Sequence, residues 1–213
     1  MPLILHEYPL PGTGIGVWQI QESAEWFRGR LQLNKHDEEE LSGIIFPGRI
    51  LEFLASRYIL RLLIGSTEEQ TLLKDEHGRP LLQNSHLHVS VSHCKGYAAA
   101  MINERCPAGI DIEQVHPRVR KIISKYLSDE ELAALGGENV TDDALILAWA
   151  VKEAVYKAHG IKGLSLRSHI HLGPAPTSLP GEIYAELDRD GEHKTHRLIV
   201  KKLEETILAY TLE

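Results

Sequence analysis

The sequence predicts an α+β protein built as two similar small α/β lobes, a pseudo-dimer with the active site at their interface. Three observations carry that expectation. The chain has 213 residues, long for one compact unit and comfortable for two small ones. Each half contains one long, mostly apolar helical pattern, over residues 47–64 and 142–159, with strand-like segments after it. Between the halves, Arg105-Cys106-Pro107 interrupts the pattern, which divides an N-terminal lobe, 1–106, from a C-terminal lobe, 107–213. A cleft between lobes is a favoured place for a ligand.

Taken in order, residues 3–10 and 14–21 predict short strands around a Gly-Thr-Gly turn. Gly12-Thr13-Gly14-Ile15-Gly16 has neither dinucleotide spacing nor a following Gly-Lys-Ser/Thr, so a hairpin fits better than a phosphate loop. Residues 35–42 start an acidic helix. Pro47 suits a first helical turn, and Ile50, Leu51, Phe53, Leu54, Ile59, Leu62 and Leu63 give that helix a wide apolar stripe, punctuated by Arg49, Arg57 and Arg61. Residues 76–80 have turn chemistry. Alternation over His86–Ser92 predicts a half-buried strand, followed by strands over Tyr97–Ile102 and Gly109–Val115. Residues 117–135 predict a basic helix, a turn at Ser128 and an acidic helix start. Thr141 caps the helix 142–159, Asp142 and Asp143 fill its first turn, and Gly160 ends it. The remainder reads as strands joined by Pro- and Gly-rich turns.

Composition excludes several classes. An apolar share of 43% and a charged share of 25% describe an ordinary globular chain, one that buries about 70% of its unfolded surface without a disulfide or structural metal. No stretch approaches the roughly 18 apolar residues of a membrane span, and the N-terminus lacks a signal peptide's basic start and cleavage site. Two cysteines, Cys94 and Cys106, read as reduced thiols of a cytoplasmic protein. A net charge of −7 argues against nucleic acid.

Three segments carry candidate chemistry. In Gly109-Ile110-Asp111-Ile112-Glu113, Asp111 and Glu113 share one strand face; their repulsion is relieved by a divalent cation such as Mg²⁺, or by simple exposure on an edge strand. Helix 142–159 is apolar almost all round, yet holds Lys152, Glu153 and Lys157. Burying such groups is costly without partners, and a cavity with metal and phosphate would supply them. Val89-Ser-Val-Ser-His-Cys94 ends a strand in polar groups where ligand contacts are common. Ser92 and His93 suit phosphate contacts better than a nucleophilic couple. The pairs His86/His88 and His169/His171 lack the companion ligands of a zinc motif.

These three blocks, in this order, resemble the 4′-phosphopantetheinyl transferase superfamily, and the length suits its two-lobed Sfp-type branch. Weaker similarity reaches Arg49-Ile-Leu-Glu-Phe-Leu-Ala-Ser-Arg57 and Gly78-Arg79-Pro80. The resemblance implies Mg²⁺ on Asp111, Glu113 and Glu153 and coenzyme A as substrate. It places Lys157 on the diphosphate with Lys152 nearby and Arg79 from the loop side. Ser92 and His93 would line the nucleotide, His93 at the 3′-phosphate with Arg49 or Arg57. Cys94 stands where many relatives have serine. Glu153 and Lys157 would be catalytic, Glu153 as base, in moving phosphopantetheine to a serine of an apo acyl or peptidyl carrier protein. The basic run Arg118, Arg120, Lys121 and Lys125, with apolar Val119, Ile122 and Ile123, is a candidate carrier-docking helix. An internally paired chain needs no second copy, so a monomer is expected. Two alternatives remain open: a coenzyme A-binding module without catalysis, and a metal-dependent phosphohydrolase.

Overall fold

The computed structural model of the protein describes residues 2–65, 71–76 and 78–213. The chain divides into two units, Met1–Ala108 and Gly109–Glu213, each around its own hydrophobic core. The fold is α+β.

In the first unit the order is β1 (Leu3–Leu10), β2 (Thr13–Gln19), α1 (Ala24–Arg28), α2 (Lys35–Ser42), α3 (Pro47–Ile64), β3 (Leu72–Lys74), β4 (Pro80–Leu82), β5 (His88–Cys94) and β6 (Tyr97–Asn103). The antiparallel sheet runs β1-β2-β6-β5-β4-β3. Leu10 pairs with Thr13, so Pro11-Gly12 makes the first turn. Gly12 takes φ +80° there, a value glycine reaches without a Cβ penalty. Helix α3 begins at Pro47, where a missing N–H costs nothing, and ends at a left-handed Gly65 whose N–H reaches Arg61 O at 3.1 Å. Its buried side, Leu54, Ala55, Ile59 and Leu63, joins the core with Val89 and Ala98 of the sheet.

The second unit contains β7 (Ile110–Gln114), a 3₁₀ segment (Pro117–Ile122), α4 (Ile123–Tyr126), α5 (Asp129–Ala134), a short 3₁₀ turn (Gly137–Asn139), α6 (Asp142–His159), α7 (Leu166–His169), β8 (Ile170–Leu172), β9 (Gly181–Arg189), β10 (Glu192–Leu203) and β11 (Thr206–Thr211). Its antiparallel sheet is ordered β7-β11-β10-β9-β8. Thr141 accepts from Ala144 N at 3.2 Å to start α6, and Gly160, at φ 66°, donates to Tyr156 O to close it. Core residues Leu145, Ala148, Val151 and Val155 of α6 lie with Ile183, Leu198 and Ile207 of the sheet.

The two units repeat one topology. A strand (β2 or β7) leads to an 18-residue helix (α3 or α6). A four-strand meander then returns so that its last strand lies beside the first. The first unit adds β1 at the edge.

Several local expectations change. The strand expected over 86–92 runs His88–Cys94, so His86 is outside it and the His86/His88 face does not form. His169 ends α7 while His171 lies on β8, which separates the second histidine pair as well. The basic helix expected from 117 breaks into a 3₁₀ segment and a single α-turn; the β-branched Ile122-Ile123 pair at the break disfavours a continuous helix. Val119 is buried, and Ile122 and Ile123 pack against the unit's own core, so that apolar face is already used within the chain. The turn expected over 76–80 includes His77, outside the described residues; beside it Gly78 N donates to Asp75 O at 2.9 Å.

Candidate active site

Gly109 decides how closely β7 can approach α6. A Cβ at that position would sit 2.0 Å from the Ala154 carbonyl oxygen and 2.9 Å from the Ala158 methyl. Only glycine opposite two alanines allows this contact, and Thr211 Oγ1 fixes the strand's start by accepting from Gly109 N at 3.1 Å. Strand alternation then turns Asp111 and Glu113 toward the helix.

From the helix, Trp149, Glu153 and Lys157 come at four-residue intervals and therefore share a face. Lys157 Nζ donates to Asp111 Oδ1 at 2.6 Å and to Ile110 O at 3.2 Å. Trp149 Nε1 donates to Glu113 Oε1 at 3.3 Å. Glu153 stands between these two contacts in the sequence of the helix. Burial first, then the charge of Asp111, pushes its carboxyl up to about 7, with Lys157 opposing. Glu113 is likewise pushed up to about 7 by burial and by Asp111, with Glu153 adding to it and the Trp149 bond and Lys157 opposing. Asp111 is only 3% exposed.

Three carboxylates thus lie near enough to feel one another's charge in a poorly solvated place, with one ammonium to offset them. Among the described residues, no three His, Cys, Asp or Glu side chains close on a common point as a metal shell would. The donor chemistry nevertheless fits a hard divalent cation: all-oxygen ligands, negative charge in excess, and two carboxyls whose pKa is raised by burial and then by neighbouring carboxylates.

Lys152 does not belong to this group. It is 0% exposed, and its ammonium donates to Glu131 Oε2 (2.7 Å), Leu166 O (2.9 Å) and Ile170 O (2.6 Å). All three donors of the ammonium are used. Glu131 in turn accepts from Ser128 N at 2.9 Å and Leu172 N at 2.9 Å. The cluster ties α5, α6, α7 and β8 together, so the expected diphosphate contact of Lys152 is replaced by a structural one.

In the first unit, the two arginines of α3 separate clearly. Arg57 is 11% exposed and donates to Asp37 Oδ1 and Glu40 Oε2, both at 2.9 Å, with its guanidinium over Phe53. That network commits it to the fold. Arg49, 56% exposed, reaches Glu52 Oε2 at 3.0 Å and the His93 ring, with Nδ1 at 2.6 Å. Arg79 is held by Asp75, Nε to Oδ2 at 3.3 Å. Ser92 and His93 are neighbours within β5 and so point to opposite faces; His93 lies on the α3 side with Val89 and Val91. The expectation that both line one nucleotide does not survive this register.

Sequence reasoning gave Trp149 no role, although its four-residue offset from Glu153 was the signal. In the basic run, Arg118, Arg120, Lys121 and Lys125 are all exposed, and Arg120 also donates to Asp142 Oδ1 (2.6 Å) and Val140 O (2.7 Å).

Two family models match the chain. Residues 107–210 match the 4′-phosphopantetheinyl transferase superfamily, and residues 38–103 match the 4′-phosphopantetheinyl transferase N-terminal domain. None of the curated proteins matches it.

Proposed function

Because the chain belongs to the 4′-phosphopantetheinyl transferase superfamily, with both domain models of a two-domain member consistent with the Sfp-type branch, we propose that it moves phosphopantetheine from coenzyme A to a carrier-protein serine. In this reading Asp111, Glu113 and Glu153 hold Mg²⁺. When bound, the ion supplies positive charge beside the diphosphate oxygens. Lys157 binds the same diphosphate. Arg49 with His93 takes the 3′-phosphate, with Arg79 as a further nucleotide contact.

The serine Oγ bonds to the phosphorus that bears pantetheine, while the bond from that phosphorus to the oxygen of 3′,5′-ADP breaks. The serine proton passes to the Glu153 carboxylate, which shares a helix face with Lys157. Lys157 offsets the charge that develops on the departing oxygen. The exposed Arg118, Lys121 and Lys125 offer an acidic carrier a positive edge just after β7; Arg120, also exposed, shares its charge with Asp142. A cytoplasmic monomer completes the proposal. No helix among the described residues is long and apolar enough to cross a membrane.

The observation that supports this reading most is the helix face Trp149–Glu153–Lys157 set against Asp111 and Glu113. Its test is the release of 3′,5′-ADP from coenzyme A with Mg²⁺. Release that requires an apo carrier is expected. Release without any protein acceptor would favour hydrolysis instead, and binding without release would favour a nucleotide-binding module.

A further inference from the structure

Trp149 makes a contact that the reading above leaves without a task. Its Nε1 donates to Glu113 Oε1 at 3.3 Å, and its ring meets Tyr126 edge-on, with centroids 5.1 Å apart. Tyr126 is itself fully buried, with its hydroxyl donating to Leu145 O at 3.2 Å. The indole is therefore backed by a side chain that is fixed at both ends, and it has only two rotatable bonds of its own. Glu113 has three, and it lies near the end of β7, half-buried. Left alone it would sample several rotamers.

We infer that Trp149 is a positioning residue that fixes the Glu113 carboxylate for the divalent cation. The inference rests on the reading of Asp111, Glu113 and Glu153 as cation ligands. An indole N–H is a donor only, and a neutral one. It orients the carboxylate through Oε1 and leaves Oε2 and the full negative charge to the cation, which a lysine or arginine in its place would neutralise. It also sits one helical turn from Glu153 on the same face, so one rigid helix sets two of the three carboxylates at once. Groups that orient a metal ligand in this way typically change metal affinity about 10–100-fold when removed.

The test uses the full chain and Mn²⁺ as a paramagnetic substitute for Mg²⁺, with free Mn²⁺ read by electron paramagnetic resonance. Trp149→Phe keeps the ring against Tyr126 and removes the donor. Mn²⁺ affinity is expected to fall about 10-fold or more, with circular dichroism and melting temperature close to those of the parent chain. In a Glu113→Gln background, the same change should alter affinity less than about 2-fold, because a residue acting through Glu113 has nothing left to position. A purely structural role would not show that dependence. If Trp149→Phe binds Mn²⁺ like the parent while Glu113→Gln binds it weakly, the positioning role is wrong and the cation reading stands. If Glu113→Gln itself changes nothing, the cation reading of Glu113 fails and takes this inference with it. Should Trp149→Phe not fold, the indole N–H resonance that Glu113→Gln perturbs is followed in the parent chain during Mg²⁺ addition. A shift supports the contact's role, and an unmoved resonance overturns it.

Discussion

Lys152 and Glu153 are neighbours on one helix with opposite fates. Lys152 turns into the unit and finds Glu131 and two carbonyl groups; Glu153 turns toward β7, where Asp111 repels it. Removing the Lys152 ammonium would strand the Glu131 carboxylate in a buried place. Lys152→Met should therefore cost about 3–5 kcal/mol of stability, measured by urea denaturation, and Lys152→Met/Glu131→Gln should recover much of it. A chain of unchanged stability but raised coenzyme A KM would return Lys152 to the diphosphate. A second residue-scale outcome concerns His196, 2% exposed on β10 with the His159 ring 6.4 Å away. Burial first, then Lys194 and His159, pulls its pKa from 6.5 to about 4, while Glu192 lies 3.7 Å from His159. The unfolded chain protonates His196 near 6.5 and the folded chain only near 4, so stability falls as pH drops through that window. Melting curves across it should be flatter for His196→Leu; an unchanged slope would assign the acid sensitivity elsewhere.

The pairing of β7 with α6 turns on one glycine and two alanines at the scale of elements. Gly109→Ala places a methyl 2.0 Å from the Ala154 carbonyl oxygen, a backbone atom that no rotamer change can move aside. The strand must part from the helix, at about 1–3 kcal/mol, and Asp111 moves off Lys157. Loss of both stability and divalent-cation affinity is expected, read by melting temperature and Mn²⁺ titration; unchanged cation affinity would mean that the spacing does not matter to the site. The elements most readable from sequence were those with their own punctuation. Pro47 and Gly65 bound α3, Thr141 and Gly160 bound α6, and alternation marked Asp111 and Glu113 on one face. What stayed hidden depended on distant partners. Glu131 is 21 residues from Lys152, and Asp37 is 20 from Arg57; no local pattern announces either bond. The three-residue strands β3 and β4 are too short for periodicity to register. The opposite faces of Ser92 and His93 follow from β5 continuing to Cys94, which the polar run concealed.

For the whole molecule, two units of one topology divide the proposed labour unequally. The first keeps Arg49 and His93 together and spends Arg57 on its own fold; the second holds the carboxylates and Lys157. A formal charge of −7 disfavours long-range attraction to an acidic carrier, so the exposed Arg118 and Lys121 must act locally. Reversing both charges should raise the carrier KM several-fold and leave the coenzyme A KM unchanged; an unaltered carrier KM would reject that edge. Transfer of phosphopantetheine to protein by Glu153 together with Asp111, Glu113 and Lys157 is the proposal on which the other roles depend. Its most direct measurement is the intact mass of an apo carrier after incubation with the chain, coenzyme A and Mg²⁺. A gain of one phosphopantetheine is expected, abolished by serine substitution in the carrier and slowed about 100-fold or more by Glu153→Gln in a folded chain. An unchanged carrier mass with active parent chain, or full loading by Glu153→Gln, would contradict it.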